Sequence, residues 1–159
     1  MPEINSTKNS RMRINPREFL GIAEEVLARG NPFSFRALGS SMSPFIKDGD
    51  SVTLLRDKKA GVGDVVLFKT EEGRLYLHRI VKEVESGIMT RGDASLGEDG
   101  LTPRRNILGK VVKVSGKGYN FHLRRPIKGL ISKRIIFSEG LYRHPFLMRL
   151  GKGVAKILG

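Results

Sequence analysis

Leu75-Tyr76-Leu77-His78-Arg79-Ile80-Val81-Lys82-Glu83-Val84 mixes apolar and polar side chains in a run rich in β-formers, and it reads as a strand. Strand geometry puts Tyr76, His78 and Ile80 on one face and Leu77, Arg79 and Val81 on the other. Apolar neighbours on both faces place the strand in the middle of a sheet, so the imidazole should be fixed in direction and partly withdrawn from water. Similar short runs surround it at residues 33–38, 51–55, 64–69, 88–91, 107–115 and 120–124, separated by turns containing Gly and Asp. This spacing predicts a mainly β, antiparallel domain over residues 31–125.

With 159 residues the chain suffices for one such domain plus tails. It has no cysteine, which excludes disulfides and thiolate metal sites. The three histidines, His78, His122 and His144, show no metal-ligand spacing, so no metal and no cofactor is expected. No stretch approaches the ~18–20 apolar residues of a membrane span, and the polar, basic start lacks the apolar centre of a secretory signal. The expected location is cytoplasmic.

The net charge of +13 is unevenly distributed. Residues 1–100 carry 15 Lys/Arg against 15 Asp/Glu, whereas residues 101–159 carry 14 Lys/Arg and only Glu139. The excess therefore sits at the C-terminal end, where Ile127, Leu130 and Ile131, then Leu147, Leu150, Val154, Ile157 and Leu158, recur at helical spacing beside basic residues. Residues 126–159 are expected to form a basic amphipathic helical tail suited to an anionic membrane surface. Packing of these stripes on the β domain or on another subunit is the alternative. The tail lacks interleaved aromatics or a nucleic-acid motif, so no nucleic-acid partner is expected.

At the other end, residues 1–14 show no periodicity and are expected to be disordered. A short helix follows over residues 15–30. Asn15 is placed to cap it, Pro16 sits at its first position, Glu18 can reach back to the cap, and Phe19, Ile22, Ala23, Val26 and Leu27 form its apolar face before Gly30.

Three segments carry side chains capable of chemistry. Ser41, in Gly39-Ser40-Ser41-Met42-Ser43-Pro44, lies on a turn able to present its Oγ to solvent and its own N–H to the same spot, giving a nucleophile and one oxyanion donor. His78 supplies an imidazole, the side chain suited to general-base work near neutral pH. Asp93 and Asp99 stand in the Gly-rich loop Arg91-Gly92-Asp93-Ala94-Ser95-Leu96-Gly97-Glu98-Asp99, where a carboxylate can hold an imidazole tautomer. Taken singly, each has a plain structural reading: a Ser-Pro turn, a hydrogen-bonded core histidine, and Asp as turn chemistry.

Taken in order, these segments resemble the type I signal peptidases and their relatives, which share a β-rich catalytic domain with LexA-like self-cleaving repressors. The resemblance covers residues 35 to about 114. It also rests on Asp48-Gly49-Asp50-Ser51-Val52, Gly63-Asp64-Val65-Val66 and Leu108-Gly109-Lys110-Val111. It implies Ser41 as nucleophile and His78 as base, as in the archaeal and endoplasmic-reticulum branch, where most bacterial members and the LexA-like proteins use lysine. Asp99 becomes the triad acid, and Asp93 a supporting residue or the alternative acid. Gly39, Ser40 and Met42 would contact substrate beside the nucleophile. Gly39 stands where some relatives carry an oxyanion-assisting hydroxyl, which leaves more of that task to the Ser41 amide. The membrane-spanning helix that the family normally carries before its nucleophile has no counterpart here.

The expected function is a serine endopeptidase cutting an extended peptide or precursor protein with small side chains near the cut. Lys69 and Lys82 are the nearest lysine rivals for the base. A catalytically inactive peptide-binding module is the alternative. A self-cleaving regulator ranks third, because the 32 residues ahead of the β region are few for a helix-turn-helix.

Overall fold

Asn15 begins the first helix. Its side-chain oxygen accepts the N–H groups of Arg17 and Glu18 at 3.0 and 2.9 Å, satisfying two donors that the first turn leaves open. Helix α1 runs Pro16–Ala28 and buries Phe19, Ala23 and Leu27, a stripe with four-residue spacing. Gly30, at φ +77°, takes the chain out of the helix in the left-handed conformation that glycine adopts without strain. The computed structural model describes residues 15–57 and 59–123. The segment expected to be disordered, 1–14, and the expected basic tail, 126–159, lie outside the described residues.

Eight strands follow: β1 (Phe33–Arg36), β2 (Ser51–Leu55), β3 (Val65–Lys69), β4 (Leu75–Val84), β5 (Gly87–Arg91), β6 (Leu101–Thr102), β7 (Ile107–Gly116) and β8 (Tyr119–His122). All pair antiparallel in one sheet of order β1-β2-β7-β3-β4-β5-β6, with β8 paired to β7. The fold is thus mainly antiparallel β with one short N-terminal helix. Two elements have no counterpart in the sequence reading: β6, only two residues long, and a single 3-10 turn at Arg104–Asn106. Strand β1 also stops at Arg36, two residues earlier than its pattern predicts.

The sheet is covered on both faces. One face joins Val52, Leu54, Val65, Leu67, Leu75, Leu77, Val111 and Val114 to Phe19, Ala23 and Leu27 of α1. Phe19 also meets Phe33 and Phe35 edge-on, each at 5.3 Å between centroids. The other face gathers Val66, Phe68, Ile80 and Ile88 with Ala60. The run Val65-Val66-Leu67-Phe68 is therefore buried throughout, because successive side chains enter different cores. Strand β4 lies between β3 and β5, the central place that its composition predicts. Among the described residues no helix is long and apolar enough to cross a membrane.

Candidate active site

Ser41 lies on the loop between β1 and β2, and that loop is clasped at its base. Ala37 N–H donates to Asp50 O at 2.8 Å and Gly49 N–H to Ala37 O at 2.8 Å. Two carboxylates tighten it further: Asp48 accepts Gly39 N–H at 2.8 Å, and Asp50 accepts Lys47 N–H at 2.8 Å and the Tyr119 hydroxyl. The hydrogen bond to Asp50 holds the Tyr119 phenol in its protonated form, pushing its pKa up to about 12. Met42 and Ile46 anchor the loop from beneath by entering the helix-side core. The Asp48-Gly49-Asp50 segment thus braces the Ser41 turn as well as leading into β2.

The turn delivers Ser41 to the middle of β4. Ser41 Oγ lies 3.1 Å from His78 Nε2, and His78 Nδ1 lies 2.6 Å from Asp99 Oδ2. A carboxylate can only accept, so Nδ1 carries the proton toward Asp99 and Nε2 presents its lone pair to the Ser41 hydroxyl. Both separations are within reach for proton transfer. Ser41 and His78 are almost fully buried, at 9% and 5% exposure, whereas the Asp99 side chain is 31% exposed. The His78 ring is further confined by Tyr76, 5.5 Å away between centroids on the same face of β4.

Asp93 goes elsewhere. Its two oxygens take Arg79 Nε at 2.8 Å and Arg79 Nη2 at 2.6 Å, a bidentate pair inside the protein. Arg79 also donates to Gly63 O at 2.8 Å and lies 5.7 Å from the Phe45 ring centroid. The residue beside the imidazole in β4 therefore ties the loop after β5 to the turn before β3. That loop touches the Ser41 loop as well, through Ala94 N–H to Ser41 O at 2.8 Å. Gly92 is required by this closeness: a Cβ there would stand 2.7 Å from Ser41 O and 3.2 Å from His78 Nε2.

Of the residues singled out by sequence, Ser41, His78 and Asp99 come together, and Asp93 pairs with Arg79 instead. Gly39, Met42 and Ser41 line a small recess with Ala37, Leu38, Ile46 and Leu77, of about 10 Å³. Ser40 O accepts Ser43 N–H at 3.0 Å, a bond of the turn itself. A wider cavity of about 360 Å³ borders Asp99 on the other side, with Phe68, Tyr76 and Thr102 in its wall. Lys69 lies 3.7 Å from Glu24, and Lys82 is exposed. Sequence reasoning missed Thr90, which donates to Asp99 Oδ2 at 2.8 Å. In a strand, threonine reads as an ordinary β-former, so no pattern singles it out.

One further charged group stiffens the frame. Lys110 of β7 lies 2.8 Å from Asp57 and 3.6 Å from Asp64, which heads β3. Burial works to lower the Lys110 pKa, yet the hydrogen bond it donates to Asp57 and the charges of both carboxylates leave it raised. That same hydrogen bond lowers the pKa of Asp57. Among the described residues no group of three or more His, Asp or Glu gathers in a metal-holding arrangement.

The Peptidase S24-like family profile matches residues 6–112, a segment that contains Ser41, His78, Asp93 and Asp99. The LexA repressor of Halalkalibacterium halodurans is 31% identical over 101 residues, which are 63% of this chain and 48% of the repressor. The chain thus spans about half the length of that relative.

Proposed function

The chain belongs to the Peptidase S24-like family, and from that membership and the geometry around Ser41 we propose that it is a serine endopeptidase resembling the His-base branch of signal peptidases. The observation that carries this reading is the unbroken line of hydrogen bonds from Ser41 Oγ through His78 to Asp99. Ser41 attacks the peptide carbonyl as its proton passes to His78 Nε2. Asp99 holds the tautomer and stabilises the imidazolium that forms. The Ser41 N–H faces the developing oxyanion. His78 then protonates the departing amine, and water releases the acyl group by the same route.

The substrate class is an extended peptide or precursor protein. Among the described residues strand β1 ends the sheet order and pairs with β2 on one side only, an edge of the kind to which an extended peptide can add as a strand. The recess beside Ser41 is no larger than a water molecule, at about 10 Å³, so a small side chain next to the cut bond is the one we propose, as the signal-peptidase resemblance implies.

The decisive experiment compares wild type with Ser41→Ala and His78→Ala on a peptide library and with a serine-directed covalent probe. Each variant should lose cleavage and labelling while keeping its fold, and the double variant should be little worse than either single one. Wild-type turnover by Ser41→Ala would refute the assignment. A probe-inert wild type that still binds peptides would instead favour the inactive binding module. The similarity to a LexA repressor favours one further reading, cleavage of the chain by its own site. First-order loss of full-length protein at all concentrations, abolished by Ser41→Ala, would identify it.

A further inference from the structure

We propose that Thr90 is a positioning residue of this site, its hydroxyl fixing the Asp99 carboxylate in the orientation that faces His78. The inference rests on the peptidase reading and concerns how the acid is held. Asp99 follows Leu96, Gly97 and Glu98, all exposed, and precedes exposed Gly100. Its side chain is 31% exposed and borders the cavity of about 360 Å³. A carboxylate in that setting has two free torsions and water to compete for its oxygens, so its neighbours on the loop do not account for its aim.

Thr90 does. Its main-chain carbonyl accepts Asp99 N–H at 2.7 Å, fixing the backbone of the acid, and its Oγ1 donates to Asp99 Oδ2 at 2.8 Å, fixing the side chain. Oδ2 is also the atom that meets His78 Nδ1. Thr90 itself is fully buried on β5 opposite Ile80 of β4, so it is held by the same two strands that carry the base. A buried hydroxyl is costly unless it is bonded, and valine has nearly the same shape. Packing alone therefore gives no reason for the oxygen; its bond to Asp99 does.

The test compares Thr90→Val, which keeps shape and removes the hydroxyl, with Thr90→Ser, which keeps the hydroxyl and removes a methyl group. On a cleaved peptide, Thr90→Val should lower kcat about tenfold, the rate equivalent of one hydrogen bond, with KM unchanged. Thr90→Ser should stay near wild type. Proton NMR supplies a readout independent of turnover: the His78 Nδ1 proton, assigned by its loss in His78→Gln, should shift in Thr90→Val and keep its position in Thr90→Ser. An unmoved resonance in Thr90→Val, or equal losses in the two Thr90 variants, would overturn the proposal. Absence of any Ser41-dependent cleavage in wild type would refute the peptidase reading, and the resonance would still decide the role of Thr90.

Discussion

Asp93 and Asp99 share one loop, yet replacing them should have opposite consequences. The Asp93 side chain is 2% exposed and its partner Arg79 6%, so Asp93→Leu leaves a guanidinium inside the protein with Gly63 O as its remaining described acceptor. Two unit charges about 4 Å apart attract by about 4 kcal/mol at an effective dielectric near 20. Breaking such a buried pair from one side typically costs about 3–5 kcal/mol. Against a total stability of roughly 5–15 kcal/mol, that is a large share. Arg79→Met should cost a similar amount by stranding the carboxylate. The double variant Arg79→Met/Asp93→Leu should return to within about 1–2 kcal/mol of wild type, because an apolar pair needs no charge compensation. Asp99→Asn should do the reverse: little change in stability, with kcat lowered about 10³–10⁴-fold through the wrong imidazole tautomer. Guanidinium denaturation of the four Arg79/Asp93 proteins gives the coupling energy, and peptide cleavage gives the rate. A coupling below about 1 kcal/mol would refute the argument for the pair. A folded Asp93→Asn that is slower than Asp99→Asn would exchange the two roles.

Gly92→Ala would place a Cβ 2.7 Å from Ser41 O, a main-chain atom that cannot yield without moving the nucleophile, so kcat should fall about 100-fold for a stability loss of about 1–3 kcal/mol; a variant with normal turnover would show that the loops are looser than described. The contribution of Lys110 and Asp57 should show in the pH dependence of the stability lost on Lys110→Met. The raised Lys110 pKa gives stability that is present below 10.5 and lost as pH rises through its folded value. The lowered Asp57 pKa gives stability that is present above 3.8 and lost as pH falls through its folded value. Denaturation series should therefore find the largest cost between these limits, and a cost that persists undiminished at both extremes would contradict the pairing. We also propose that residues 126–159 bind anionic membranes, which co-sedimentation with phosphatidylserine vesicles tests: a chain ending at Arg125 should lose binding and keep its peptidase activity, whereas equal binding by both chains would refute it.

The fold was legible where one residue pattern dictates one structure. Asn15-Pro16 marked the helix start through its unpaired amides, and residues 75–84 matched β4 to the residue because alternation has a fixed period. What escaped was either too short to carry a pattern, as with Leu101–Thr102, or decided by distant partners. Strand β1 stops at Arg36, and the next residues form the base of the clasped loop held by Asp48 and Asp50. In the site, Ser41, His78 and the two aspartates stood out by residue type and order. Spacing alone left the destination of each aspartate open, since six positions along a Gly-rich loop do not reveal which carboxylate meets a ring and which a guanidinium; the family resemblance is what pointed to Asp99. Thr90 was invisible for a related reason: its role depends on Asp99 folding back across the end of β5.

The position of β7 bears on the order in which the chain is made. Strands β2 and β3 are consecutive in sequence but are not neighbours; β7 lies between them, pairing with both. A growing polypeptide can assemble β1 with β2, and β3 through β6 by local hairpins, as soon as those residues emerge. The first piece carries Ser41 and the second carries His78 and Asp99. Until residues 107–116 arrive, no strand pairing among the described residues joins the two, and what they share is the packing of apolar side chains and loop contacts. Among the described residues, Ser41 and His78 are thus brought into register by a strand that follows both of them in sequence, so their juxtaposition waits on residues that emerge after either one.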